Sequence, residues 1–277
     1  MVGIPLELTP DFPTDGKSVF LTVQALKDPD IFAKIQKLVV SGGKVIVTSG
    51  FMTEALARHV GIEEITSIRY LGRKFTTNQF RGGGIGGGDG GYSKHKMTFP
   101  LLEHRNNTTW TLAKAVVGEE NYPIILRDTY GKGQLITIVV PDEFGYIYDL
   151  PAGTLQNYRQ QFTDAVPYSL KGPGQASLFA YDNDTFALYK YIDKLTEGSY
   201  GVTLQGNAES IEPIGGGMPL RPQGGGFGTT DFNIFMLGAG DFSFYKINWA
   251  AERFAPPQEF RAMSAPNDLA DDDDDDN

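Results

Sequence analysis

The chain contains no cysteine. That removes thiolate nucleophiles, disulfides, zinc–thiolate centres and iron–sulfur clusters from its chemistry. It leaves the compartment open, cytoplasmic or extracellular, because an exported protein can also lack disulfides. Basic residues are in deficit: 24 Lys and Arg stand against 34 Asp and Glu, for a formal net charge of −10. A protein that neutralises phosphates needs a basic footprint, so nucleic acid is not an expected partner. Six of the negative charges, Asp271 to Asp276, fall in the last seven residues and read as a solvated tail. No apolar run approaches the ~20 residues of a membrane span. MVGIPLELTPDFPTDGK has no basic segment leading into an apolar one, so no signal peptide is visible. Histidine is scarce as well. His59, His95 and His104 are scattered, without the spacing of a metal site or a triad.

What is present begins as alternating strand and helix. Ser18 to Val23 (SVFLTV) suits a buried strand. In KDPDIFAKIQKLVVSGG, Asp28 is the expected N-cap and Pro29 the first helical residue. Ile31, Phe32, Ile35, Leu38 and Val39 then form one apolar stripe, and Gly42-Gly43 stops the helix. Lys44 to Thr48 (KVIVT) is the next strand, which completes a βαβ unit. The pattern predicts a helix over Thr53 to Val60, a strand over Ile65 to Leu71, an edge strand over His95 to Leu102 and a short helix over Trp110 to Val117. It also predicts two strands, Ile124 to Asp128 and Gln134 to Val140, around a Tyr130-Gly131-Lys132-Gly133 turn. RGGGIGGGDGG, with eight glycines in eleven residues, and RPQGGGFGTTDF read as loops. Beyond about Tyr146 a helix over Pro151 to Phe162 leads into alternating runs with frequent turns, the pattern of an antiparallel sandwich. The expected organisation is an α/β domain over 1–150, a connector over 151–162, a β-sandwich over 163–254 and a disordered acidic tail over 255–277.

The candidate site residues follow from chemistry. Ligands of open α/β sheets bind beyond the carboxyl ends of the strands, where Thr48, Ser49 and Gly50 would lie. VTSGF is neither a nucleophile elbow nor a phosphate loop, so these residues are candidates for ligand contact only. The glycine-dense stretch is not placed to open a βαβ unit, so no dinucleotide is expected there. Asp182 and Asp184 flank Asn183 in YDNDTF, a fragment of a calcium pattern or simply a hairpin turn. Apart from that calcium, no cofactor is expected. Asp128, Asp142 and Glu143 are the candidate catalytic acids. Adjacent residues on an extended strand point to opposite faces, so Asp142 and Glu143 cannot themselves flank one glycosidic bond. Asp128 with Glu143, across the hairpin end, is the pairing left open. Trp110, Trp249, Tyr189 and Tyr191 are candidates for stacking on sugar rings, or else core residues. Asn106, Asn107 and Asn183 each begin an N-x-T sequon.

DPDIFAKIQKLVVSGGKVIVTSG and YPIILRDTYGKGQLITIVVP resemble the glutamine-amidotransferase-like domains of bacterial β-galactosidase-type glycoside hydrolases. The resemblance implies a flavodoxin-like α/β fold followed by a small β domain, with a role in packing or oligomer contacts. Amidotransferases of this fold carry a cysteine nucleophile, and the glycosidases carry their acids on an upstream barrel. Neither is in this sequence, so the resemblance assigns no functional residue. MVGIPLELTP resembles the end of such a domain's first helix, which implies a fold shortened at its N-terminus, a longer protein or a partner strand. The expected function is a non-catalytic module of a carbohydrate-active system, acting in oligomerisation or glycan contact. Self-association, an upstream or partner domain and a polysaccharide are the expected partners. A structural subunit assembling through sheet edges and an autonomous glycoside hydrolase are the alternatives.

Overall fold

The computed structural model describes residues 2–13, 18–82, 90–105, 108–163, 167–181, 183–191, 200–226, 228–234 and 242–250. Residues 83–89 of the glycine-dense stretch, Asn106, Asn107, Asp182 and the acidic run lie outside the described residues. Strand β1 (Ser18–Leu21) pairs in parallel with β2 (Lys44–Thr48) through helix α1 (Ile31–Val40). Ile31, Ile35 and Val39 form the buried stripe of α1. The helix stops where Gly43 N–H returns to Leu38 O at 2.9 Å and Gly42 takes φ +107°. Its N-cap is Asp30 rather than Asp28; the Asp28 carboxylate instead accepts from Asp30 N–H at 2.9 Å and pairs with Lys34 at 2.6 Å. Helix α2 (Ser49–Arg58) starts at once from β2, four residues earlier than expected.

From there the α/β flavodoxin-like, amidotransferase-like reading is overturned. The chain runs into a long antiparallel hairpin, β3 (Arg69–Gly82) and β4 (Gly91–Glu103), then β5 (Thr109–Val117), β6 (Glu120–Tyr130) and β7 (Gly133–Ile138). The sheet order is β1-β2-β7-β6-β5-β3-β4, and only the β1-β2-β7 edge is parallel. A parallel sheet needs a crossover for every strand pair, and this chain supplies hairpins instead. The expected helix over Trp110 to Val117 is strand β5. Its ladders to β3 and β6 bury Ala113, Ala115 and Val116 and outweigh the helix propensity of Ala, Leu and Lys. Nor is a central strand left half-paired: β2 has partners on both sides, and β1 forms the edge. The Gly-Lys-Gly turn is tight because it passes under the end of α1. A Cβ on Gly133 would stand 2.2 Å from Gly43 O and 2.4 Å from Val39 O.

Helix α3 (Ala152–Gln160) leads to seven further strands. Strands β9 (Ala176–Tyr181), β10 (Thr185–Lys190), β12 (Ala208–Pro213) and β14 (Phe242–Trp249) form an antiparallel sheet in the order β12-β14-β10-β9. Strands β8 (Tyr168–Lys171), β11 (Tyr200–Gln205) and β13 (Thr229–Ile234) form a second, in the order β13-β11-β8. The two share one core that includes Leu170, Phe186, Leu188, Val202, Phe232 and Ile247. The glycines before β13 are not an open loop, since Gly224 bridges Asp231 across a closed turn. The seven-stranded sheet has its own core, from Val19 to Phe162. Arg159 of α3 ties the two regions. Only 2% exposed, it donates from Nε to Val2 O (2.6 Å), from Nη1 to Gly172 O (2.6 Å) and from Nη2 to Pro173 O (2.9 Å). Burial pulls its pKa down to about 10. Val2 in turn forms a parallel bridge with Ala176 of β9.

Candidate functional site

The strand end at Thr48–Gly50 spends its polar groups inside the fold. Thr48 caps α2, its Oγ1 accepting from Phe51 N–H at 3.2 Å. Ser49 is buried, and its Oγ accepts from Val140 N–H at 3.1 Å. Gly50 is exposed, and a Cβ there would meet only Thr48 Oγ1 at 3.8 Å, so nothing requires the close approach of a ligand. The segment fastens β2, α2 and the chain after β7 to one another.

The candidate acids are not brought together. Asp128 stands opposite Leu135, near the β6–β7 turn, whereas Asp142 and Glu143 follow the other end of β7. Leu135 to Ile138 alone rise about 10 Å at ~3.3 Å per residue. Asp142 pairs with Lys74 at 2.9 Å, a bond that raises the lysine pKa. Glu143 is exposed, and its backbone carbonyl accepts from Tyr146 N–H at 3.0 Å. The open pairing of Asp128 with Glu143 is therefore excluded by the register.

Asp128 is itself the best-held polar group of the first core. It is 1% exposed, and its Oδ2 accepts from Thr66 Oγ1 at 2.8 Å. Its Oδ1 accepts from Thr109 Oγ1 and, at 3.4 Å, from Ser67 N–H. Burial raises its pKa, and the bonds from Thr109, Thr66 and Ser67 work against that rise. Because Thr109 gives its proton to Asp128, Ser67 is the donor at the 2.6 Å Ser67–Thr109 contact. Ser67 Oγ also accepts from Arg105 N–H at 3.1 Å. The chain of donors thus ends on one buried carboxylate and orders the segment over 66–68. That segment walls a cavity of about 640 Å³.

The remaining candidates divide. Trp110 on β5 is 61% exposed, stands opposite Arg127 and is the single ring of that strand. Asp184 and Trp249 meet each other: the indole Nε1 donates to Asp184 Oδ1 at 2.8 Å. Asp184 also takes φ +57°, and its carbonyl accepts from Ile247 N–H at 2.8 Å, the work of a turn residue. Its expected calcium partner Asp182 lies outside the described residues. Among the described residues no group of three or more His, Asp and Glu side chains is placed to hold a metal ion.

Sequence reasoning named Tyr189 and Tyr191 but missed the surface they belong to. The outer face of β9, β10 and β14 carries Phe179, Tyr181, Tyr189, Phe242 and Phe244, with Tyr191 beside them. Ala187 is fully buried between Phe179 and Phe244, and its small side chain lets the Phe179 and Phe242 rings approach to 6.0 Å above it. Phe242 continues to Tyr189 (4.6 Å) and Phe244 (5.9 Å), and Tyr189 to Tyr191 (4.6 Å). Phe242 and Phe244 are 53% and 43% exposed. One end of the face is hollowed into a concavity of about 630 Å³ lined by Tyr181, Asn183, Thr185 and Phe244. Thr185 Oγ1 donates to Asn183 Oδ1, which leaves the amide N–H₂ of Asn183 for another acceptor. The signal was readable: FSFY puts large rings at both parities of a strand, SLFAY sets Phe179 and Tyr181 at the parity opposite to Leu178, and only one parity can enter the core.

Comparison with known proteins gives one family. The family model described as "Uncharacterized protein SSO3021, second domain" matches residues 1–143, just over half of the 277. The chain belongs to that family. No curated protein matches it. Among solved structures it is similar to alpha-L-fucosidase isoenzyme 2 from Paenibacillus thiaminolyticus, with TM-score 0.48 and 14% identity over 84% of this chain and 41% of that one. It is also similar to a beta-galactosidase from Bacillus circulans sp. alkalophilus, with TM-score 0.39 and 13% identity over 82% of this chain and 31% of that one. The chain spans less than half the length of either structure. Among the described residues no helix is long and apolar enough to cross a membrane.

Proposed function

We propose that this chain is a non-catalytic module that contacts glycan through the outer face of β9, β10 and β14. The observation that carries the reading is the run of rings from exposed Phe179 through exposed Phe242 to half-buried Tyr189, beside the concavity between Tyr181 and Phe244. A sugar ring offers a flat C–H surface and a rim of hydroxyls. Aromatic faces cover the first at little entropic cost, and a few fixed polar groups satisfy the second. Tyr181 and Phe244 supply faces, and Asn183 and Thr185 supply the polar groups. A large exposed apolar patch marks an interaction surface in any case. The non-catalytic part of the reading rests on the separation of Asp128 from Asp142 and Glu143. A second reading, self-association, draws on the same patch, since Phe179, Phe242 and Phe244 would pack equally against a second copy.

Calorimetric titration with neutral β-linked oligosaccharides tests the proposal, with sedimentation run in parallel. Binding that Phe244→Ala or Tyr181→Ala weakens about tenfold, about 1.4 kcal/mol per lost aromatic face, is the expected result. A concentration-dependent dimer that the same substitutions dissolve, with no sugar bound, would move the face to the second reading.

A further inference from the structure

The cavity beside Asp128 belongs to the other core and is independent of the glycan reading. Its most distinctive feature is two arginines, Arg69 and Arg105, on one wall. Arg69 stands opposite Glu103 in the β3–β4 ladder, and that glutamate is already ion-paired with Arg73. Arg105 lies two residues beyond Glu103 and is fixed through its backbone, its N–H donating to Ser67 Oγ at 3.1 Å. Ser67 in turn hangs from Asp128 through Thr109. The two arginines are therefore diagonal neighbours on one extended pair, and Arg105 is held by the network that ends on the buried carboxylate. Among the described residues neither guanidinium has a carboxylate partner. Of the two glutamates that also line the cavity, Glu63 lies 3.7 Å from His59, and Glu64 has no partner among the described residues. Leu56, Ile65 and Tyr130 complete the lining with apolar and aromatic surface.

We infer that this cavity binds a small organic anion, its carboxylate or phosphate group held by Arg69 and Arg105 and its apolar part lying against Leu56, Ile65 and Tyr130. The volume of about 640 Å³ is in the usual range for a small-molecule site. Guanidinium groups match carboxylate and phosphate geometry, and two neighbours that are not ion-paired among the described residues leave that capacity for a ligand. Glu64 works against the anion and sets a limit on its charge.

The test uses the full chain and three probes: benzoate, inorganic phosphate and the uncharged benzyl alcohol. Ligand-observed NMR and calorimetry should show benzoate binding in the millimolar range or tighter and no binding of benzyl alcohol. Arg69→Gln and Arg105→Gln should each weaken benzoate about tenfold, and Glu64→Gln should tighten it a few-fold. Both arginines are exposed, so cooperative unfolding of the variants should be unchanged. Phosphate binding as tightly as benzoate, with the same dependence on the arginines, would overturn the organic-anion assignment and leave a site for inorganic anions. No binding of either anion, equal binding of benzoate and benzyl alcohol, or affinity indifferent to both arginine substitutions would overturn the inference. None of these results bears on oligosaccharide binding at the aromatic face.

Discussion

The two cores of this protein treat their conspicuous side chains in opposite ways. The seven-stranded sheet takes polar groups inward. Asp128, Ser49 and Thr109 are buried and bonded there. The four-stranded sheet leaves apolar groups outward, with Phe179, Tyr181, Phe242 and Phe244 on its solvent face. A buried polar group that is satisfied by its own fold has finished its work as structure, whereas an exposed cluster of rings costs solubility and needs a partner to justify it. The difference moves the search for function away from the residue types that look reactive and toward the surface that remains unsatisfied.

Breaking the link between the cores should have the largest effect. Arg159→Met removes a buried guanidinium that serves three partly buried carbonyls, Val2 O, Gly172 O and Pro173 O. The expected loss is about 3–5 kcal/mol by urea denaturation, comparable to breaking a buried charged pair. A loss under about 1 kcal/mol would mean that the two regions hold their arrangement without it.

The inward polar group comes next. Asp128→Asn keeps the shape of the side chain but places an amide where three donors converge, and should cost about 1–3 kcal/mol. The wild type also carries a pH signature. Burial raises the native pKa of Asp128 above 3.8, so the folded state holds its proton more tightly than the unfolded state. This contribution is fully present below 3.8 and is lost as pH rises through the raised native value. Thermal unfolding across that window should show the slope in the wild type and a flatter profile in Asp128→Asn. An identical slope in the two proteins would mean that the carboxyl titrates normally.

Much of the first half could be read from sequence where period and punctuation agreed. KVIVT is β2, the Gly42-Gly43 stop ends α1, and the Gly-Lys-Gly turn lies between β6 and β7. The topology was not legible, because one βαβ unit is compatible with both a parallel and a mixed sheet. The decision is made by hairpins whose pairing is tertiary. TWTLAKAVV shows the limit most clearly: its Leu-Ala-Lys-Ala centre favours helix, its Thr, Trp and Val favour strand, and its neighbours β3 and β6 decide for strand. The candidate site was half legible. Tyr189 and Tyr191 stood out singly, but only the register Tyr189–Phe242 and Ala187–Phe244 shows that rings from three strands share one face. Asp128 was visible as an acid, and its burial was not.

The smallest effect belongs to an isolated ring on the other sheet. Trp110 is exposed on the first sheet, away from the aromatic face. Trp110→Ala should change stability by less than about 0.5 kcal/mol and leave oligosaccharide binding intact. A lost affinity would return the glycan contact to the seven-stranded sheet.

The most direct test of the central claim is calorimetric titration of a neutral β-linked hexasaccharide into the wild type, Phe244→Ala and Asp128→Asn. The account predicts binding by the wild type, about tenfold weaker binding by Phe244→Ala with unchanged folding, and wild-type affinity in Asp128→Asn. Equal affinity in the wild type and Phe244→Ala, or turnover of the sugar that Asp128→Asn abolishes, would contradict it.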